Sequence, residues 1–198
     1  MLQQYGVVMA AIVVLSLAAW LLIGWKWLEL REQRRHGIAW ADQVIDHVRK
    51  GLNEQARSLC KKYDTLYLGR LLGQAVTANE PQREFFEKRL RPMLESEADM
   101  LRRRLALIAT LGTLAPLLGL LGTVLGMLRT FDALRETGVV TSSSFSGGIS
   151  QVLLTTQAGL VTALPIVLAY WVLNTQAQQC IDTAKLYTKK IETVLCHD

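Results

Sequence analysis

Six polar side chains crowd one apolar stretch near the end of the chain, ISQVLLTTQAGLVTALPIVLAYWVLN from Ile149 to Asn174: Ser150, Gln151, Thr155, Thr156, Gln157 and Thr162. Hydroxyls and amides donate and accept hydrogen bonds without titrating near neutral pH, so such a seam can solvate ions, hold water or bind a partner's polar group. On a helix, Gln151, Thr155 and Thr162 share roughly one face, and Thr156 lies about 100° further round. In hydrocarbon an unsatisfied polar group costs up to several kcal/mol, although measured gains from interhelical pairs are nearer 1 kcal/mol. The seam should therefore face protein or water. A single threonine in such a helix is more often glue, or bonded to its own backbone, than machinery; the cluster as a whole points to a function. Neither this stretch nor the earlier apolar run Leu105 to Leu128 contains an ionisable side chain. A charge-free seam can conduct or bind, but another chain must supply any carboxylate that takes up and releases a proton.

The element that must position the seam is that earlier run, LALIATLGTLAPLLGLLGTVLGML, flanked by Arg102, Arg103, Arg104 and Arg129. At 1.5 Å per residue it spans roughly 35 Å, enough to cross the roughly 30 Å core of a bilayer with some tilt. Ala115, Gly119 and Thr123 recur every four positions, and Gly122 and Gly126 repeat the spacing beside them. Small residues at this spacing let helix backbones approach closely in lipid, and Gly159 offers the same opportunity in the polar stretch.

Composition agrees. Hydrophobic residues make up 51% of the chain and charged residues 20%, yet the two are segregated, with no charge in residues 1–25, 105–128 or 137–181. This predicts an all-α integral membrane protein with three transmembrane helices, at 7–28, 105–128 and 149–174. Lys26 interrupts the first span and is expected to extend its ammonium to the interface. Trp20, Trp25 and Trp27 sit where indoles favour the headgroup layer. The first span is expected to persist rather than be cleaved as a signal peptide, because no positive segment precedes it.

Residues 29–104 form a polar insertion holding 16 of the 22 Lys and Arg residues. Positive charge beside spans marks the cytoplasmic side, which gives an N-out, C-in topology: residues 1–6 outside, 29–104 a helical cytoplasmic domain, 129–148 a Ser- and Gly-rich periplasmic connector, and 175–198 a cytoplasmic tail. Within the insertion, Gly51, Gly69 and Gly73 are read as punctuating short helices, Asn79 as an N-cap and Pro81 as a first-turn residue. Pro92 should kink or break the helix that leads into the second span, and Pro165 should bend the third. The insertion is small for an independent core and should pack on extensions of the membrane helices. Ile181, Ala184, Tyr187, Ile191 and Val194 recur at helical spacing and carry the third span onward as an amphipathic helix.

Cys60, Cys180 and Cys196 all map to the cytoplasmic side, where no disulfide is expected. His36, His47 and His197 lack metal-ligand spacing, so neither metal nor cofactor is expected, and no phosphate loop or nucleophile motif is present. The net charge of +5 comes from basic residues crowded at span ends, which argues against a nucleic-acid partner.

GLLGTVLGM at Gly119 to Met127, together with GGISQVLLTTQAGLVTALPIVLAY at Gly147 to Tyr170, resembles the paired signatures of the ExbB/TolQ/MotA proton-channel family, closest to ExbB. The resemblance implies a non-enzymatic stator subunit of the bacterial inner membrane. In it a homo-oligomer, a pentamer in the family, surrounds an ExbD-like single-span partner with a membrane aspartate. It further implies that Thr123 and Thr156 line the inner surface opposite that aspartate, with Gln151 and Thr155 beside them. Gln151 stands where many ExbB and TolQ proteins carry glutamate. A TonB-like protein would be the energised partner of an ExbB; a TolQ would instead energise TolA for envelope integrity. A non-conducting membrane scaffold is the alternative from another class, and a three-span chain without an internal repeat is an unpromising self-sufficient transporter.

Overall fold

The computed structural model describes residues 2–35, 38–78, 82–137 and 142–196. Every regular element among them is helical: α1 (Leu2–Arg35), α2 (Ala39–Arg49), α3 (Asn53–Lys62), α4 (Tyr67–Thr77), α5 (Gln82–Phe85), a π-helical segment (Phe86–Leu90), α6 (Arg91–Thr137) and α7 (Ser142–Cys196). Three helices have stretches long and apolar enough to cross a membrane, Val7–Gln33, Phe86–Asp132 and Val152–Leu195. The chain is thus a multi-pass membrane protein. It divides into two units, one of Met1–Trp25 and Leu105–Val172, the other of Lys26–Arg104 and Leu173–Asp198. Helices α1, α6 and α7 each contribute a part to both.

The second unit owes its core to helical periodicity. In α2, Trp40, Ala41, Val44, Ile45 and Val48 recur on one face and are buried. They join Leu71 and Leu72 of α4, Phe86 and Leu90 of the π segment, and Ala184, Tyr187 and Ile191 of α7. The polar insertion therefore shares its core with the α7 extension. Trp40 stacks on Tyr63 with ring centroids 4.7 Å apart. Ion pairs Arg91–Glu192 at 2.9 Å and Lys190–Asp42 at 3.5 Å tie α7 to α6 and α2 from outside the core. These exposed pairs add little individually.

Gly51 ends α2 as expected: its φ of 73° is left-handed, and Leu52 N–H donates to His47 O while Gly51 N–H donates to Val48 O. That pattern is the Schellman motif. Gly69 and Gly73, expected at helix ends, lie inside α4 instead. Gly69 serves close approach: a Cβ there would come within 2.7 Å of the Tyr63 carbonyl carbon, whereas one at Gly73 would meet only Cys60 Cβ at 3.4 Å. Gly69→Ala is accordingly expected to destabilise the protein by about 1–3 kcal/mol through overpacking, and Gly73→Ala to be neutral or mildly stabilising. Thermal melting of the purified chain in detergent checks the pair, and equal midpoints would refute the packing explanation.

The irregularity expected at Pro92 lies one turn before it. Pro92 lacks an N–H and its ring crowds the carbonyl one turn back, and the ladder widens so that Arg91 N–H reaches Phe86 O. Pro165, by contrast, sits inside an unbroken α7, as Pro116 does inside α6. The connector expected over 129–148 is mostly helix, because α6 continues to Thr137 and α7 starts at Ser142. Within residues 129–137, RTFDALRET, Arg129, Ala133, Leu134, Arg135 and Glu136 are good helix formers, and no Gly or Pro interrupts the run. Asn79, Pro81, His36 and His197 lie outside the described residues.

Lys26 departs from the snorkelling expectation. Its side chain is buried and Nζ sits 2.7 Å from Glu29 Oε2. Glu29 also approaches Arg104 at 3.8 Å, and Arg70 pairs with Glu97 at 2.9 Å. These groups line a cavity of about 270 Å³ together with Tyr67 and Cys180. Tyr67 donates to Leu94 O at 2.9 Å, and burial first, then the Glu97 charge, pushes its phenol above the ordinary range. Cys60 is buried and its thiol is pushed up to about 11 by desolvation, so it stays protonated and unreactive near neutrality.

Candidate functional site: a glycine-threonine junction in the membrane unit

Small residues mark the inward stripe of α6. Leu105, Ile108, Gly112, Ala115, Gly119, Gly122 and Gly126 recur every three or four positions and are buried, while Leu107, Leu114, Leu117, Leu121 and Val124 point outward. On α7 the matching stripe is Val152, Thr155, Gly159, Ala163 and Ile166, and on α1 it is Ile12, Ala19 and Ile23. The glycines of α6 and Thr155 thus face protein beside Leu105, Ile108 and Ile166, while Thr110, Thr113 and Gln157 lie on the exposed faces with the outward leucines.

The stripes meet at nearly backbone contact. A Cβ on Gly119 would lie 2.9 Å from Thr155 O and 3.0 Å from Thr156 Cα. One on Gly159 would lie 2.6 Å from Ala115 O and 3.2 Å from Gly119 Cα. One on Gly122 would lie 2.8 Å from Thr155 Oγ1 and 3.1 Å from Val8 Cγ1, so α1, α6 and α7 converge there. Ala115, Gly119, Gly122 and Gly159 are the packing residues the sequence predicts, and Gly126 lies buried one turn further along the same stripe.

Of the four residues expected to line the inner surface, Thr123, Gln151, Thr155 and Thr156, three have described side chains. Thr155 is 3% exposed; its hydroxyl is 2.8 Å from Val152 O and 3.4 Å from Gly119 O, so its single proton is well spent on its own helix. Thr156 is half-buried and reaches Gly119 O at 3.2 Å, a long contact for a hydroxyl donor. Thr123, also half-buried, donates to Leu120 O at 2.7 Å. Gln151 belongs to α7, but its side chain lies outside the described residues. The structure therefore joins Thr155 and Thr156 through one acceptor, the Gly119 carbonyl, and keeps Thr123 bonded to its own helix four residues along α6. By its spacing Gly119 reads as space for a neighbour. The same missing side chain that admits α7 also uncovers a carbonyl for it, which the glycine spacing alone could have suggested.

Thr156 and Thr123 each retain hydroxyl lone pairs, and the long Thr156 contact is weak enough to exchange for another partner. Such a junction can solvate a polar group arriving from outside the chain. Among the described residues no three His, Cys, Asp or Glu side chains gather into a metal-binding group; His47 Nδ1 instead lies 2.6 Å from Gln43 O.

Comparison with known proteins follows the same lines. A family model described as the MotA/TolQ/ExbB proton channel family matches residues 46–185. A biopolymer transport protein ExbB-like 1 from Synechocystis is 32% identical over 96% of this chain and 75% of its own length. The Tol-Pal system protein TolQ of Pseudomonas aeruginosa is 26% identical over 54% of this chain and 46% of its own. The solved structure of C. jejuni MotAB superposes with a TM-score of 0.60 at 16% identity, covering 92% of this chain and 74% of that one, a likeness of fold. With residues 46–185 matched end to end through both later spans, the chain belongs to the MotA/TolQ/ExbB proton channel family.

Proposed function

We propose that this chain is a proton-channel stator subunit of a bacterial inner membrane. It works with an ExbD-like single-span partner that brings a membrane aspartate, and it energises TonB-dependent uptake across the outer membrane. The observation that carries this reading is the glycine-threonine junction in spans that contain no ionisable group. A carboxyl brought against Thr123 and Thr156 would be raised in pKa by desolvation, and the hydroxyls would donate to its charged form or accept from its neutral one. Its protonation would then follow access to either side. Each charge crossing the membrane carries about 2.3 kcal/mol per 100 mV, which would drive movement of the partner.

The topology that goes with this reading is N-out and C-in, supported by the 16 of 22 Lys and Arg residues placed between the first two spans. A homo-oligomer is supported by Thr123 and Thr156, polar side chains left half-buried within one chain that hydrocarbon alone would not satisfy. The relative sharing 96% of this chain favours an ExbB-like over a TolQ-like role.

The test is reconstitution in vesicles with the single-span partner and an imposed potential. Proton uptake should require both chains and be lost when the partner's membrane aspartate becomes asparagine. Uptake by this chain alone at the rate of the assembly would overturn the reading, and a complex that assembles but conducts nothing would leave the scaffold role standing.

A further inference from the structure

The threonines of the membrane unit mostly satisfy themselves. Thr110 donates to Ala106 O, Thr113 to Thr110 O and Thr123 to Leu120 O, while Thr155 and Thr156 use the acceptors described above. Thr162 is different: among the described residues its hydroxyl has no hydrogen-bond partner, and the same is true of Ser16 in α1. Both lie on the inward stripes of their helices, Thr162 three residues past Gly159 and Ser16 between Ile12 and Ala19, yet both are only half-buried.

One backbone acceptor belongs with them. Pro116 has no N–H to offer the carbonyl of Gly112, on the buried stripe of α6; Pro165 likewise frees the carbonyl of Val161, but Val161 is exposed on the outward face of α7. The three helices converge at Gly122, Thr155 and Val8, which sets a common depth. Counting from there toward the end of the unit that holds Leu105 and Trp25, Ser16 is about 12 Å along α1 and Thr162 about 10 Å along α7. The freed Gly112 carbonyl falls within about one helical turn of that depth. Gly112 confirms the register, since a Cβ there would meet Ile166 Cγ2 at 3.3 Å and Val167 Cγ2 at 3.2 Å. Two hydroxyls and one inward carbonyl with unmet hydrogen-bonding capacity thus occur at one level of a hydrocarbon-embedded bundle. Lipid cannot satisfy them, and irregular or freed backbone groups at such depth are tolerated where protein or water meets them.

We propose that Ser16, Thr162 and the carbonyl of Gly112 form a hydrated belt in the membrane unit, the next station inward of Thr156 on the proton path. The hydration stands on the geometry; the place on the path rests on the channel reading given above. Between Thr156 and Asn174, α7 offers only Gln157, Thr162 and the aromatic pair Tyr170 and Trp171 as polar side chains, so beyond Gln157 the first polar side chain met inward along α7 is Thr162.

The assembled complex in vesicles tests this, with the three native cysteines replaced by serine and single cysteines introduced. A charged, water-soluble thiol reagent should modify Ser16→Cys and Thr162→Cys at least tenfold faster than Leu164→Cys, whose native side chain is 67% exposed on the outward face. Equal, slow rates at all three positions would overturn the belt. Thr162→Val should lower potential-driven proton uptake at least fivefold and Thr162→Ser should keep it within twofold. Full uptake in Thr162→Val would remove the belt from the path. A native complex that moves no protons would instead sink the channel reading, with the labelling ratio still deciding hydration.

Discussion

Gly159→Leu is expected to prevent α6 and α7 from closing and so to abolish assembly of the membrane unit. The first atom of any side chain at this position would sit 2.6 Å from the Ala115 carbonyl oxygen and 3.2 Å from Gly119 Cα. Both neighbours are backbone, so neither can rotate away as a flexible side chain would. Even Gly159→Ala should destabilise by about 1–3 kcal/mol, the usual range for overpacking. Leucine adds branches that no local shift accommodates; separating the helices would also break the Thr155 and Thr156 contacts to Gly119 O. Gly24→Leu is the control, since nothing lies within 4 Å of a Cβ there. Melting and size-exclusion profiles in detergent should show wild-type behaviour for Gly24→Leu, a lowered midpoint for Gly159→Ala and no folded assembly for Gly159→Leu. A Gly159→Leu protein that melts like the wild type would show that the junction is not what holds these helices.

Thr156→Val should lower proton uptake by the assembled complex at least tenfold while leaving it assembled. Valine keeps the branch and removes the hydroxyl. What is lost in the resting chain is one long hydrogen bond to Gly119 O, worth at most about 1 kcal/mol. What is lost in conduction is a group that can turn from that carbonyl to an arriving carboxyl or water, and a tenfold change corresponds to about 1.4 kcal/mol in the barrier. Thr155→Val separates the two effects. Its hydroxyl is buried and held at 2.8 Å by Val152 O, so removing it should act mainly on melting, by about 1 kcal/mol, with a smaller drop in uptake. Uptake normalised to assembled complex decides the matter: if Thr155→Val proves the more damaging, the conducting hydroxyl has been assigned to the wrong ridge.

Much of this protein was legible in its residues because the bilayer is a demanding solvent. Hydrocarbon forbids unpaired backbone and scattered charge, so three long charge-free runs, 1–25, 105–128 and 137–181, leave little choice but helices. The small-residue spacing at Ala115, Gly119 and Gly122 told which face would be covered, and the two linked motifs told the family. Short-range signals served less well in the polar insertion. A glycine there can end a helix, as Gly51 does, or admit a neighbour, as Gly69 does, and local sequence does not separate the two because the neighbour comes from the preceding turn at Tyr63.

Residue types and their periods thus determined the all-helical class, the three apolar helices and the lack of an ionisable group in residues 105–128 and 149–174. Packing decided the rest. Thr155 and Thr156 are adjacent and alike in sequence, but only the approach of α7 to Gly119 buries one hydroxyl against its own helix and leaves its neighbour loosely held. Lys26 reads as an interfacial cation until Glu29, one turn on, is brought within 2.7 Å of it in a buried site. Hydrogen bonds and burial depend on which surfaces meet at ångström range, and that distance is set by contacts between helices far apart along the chain.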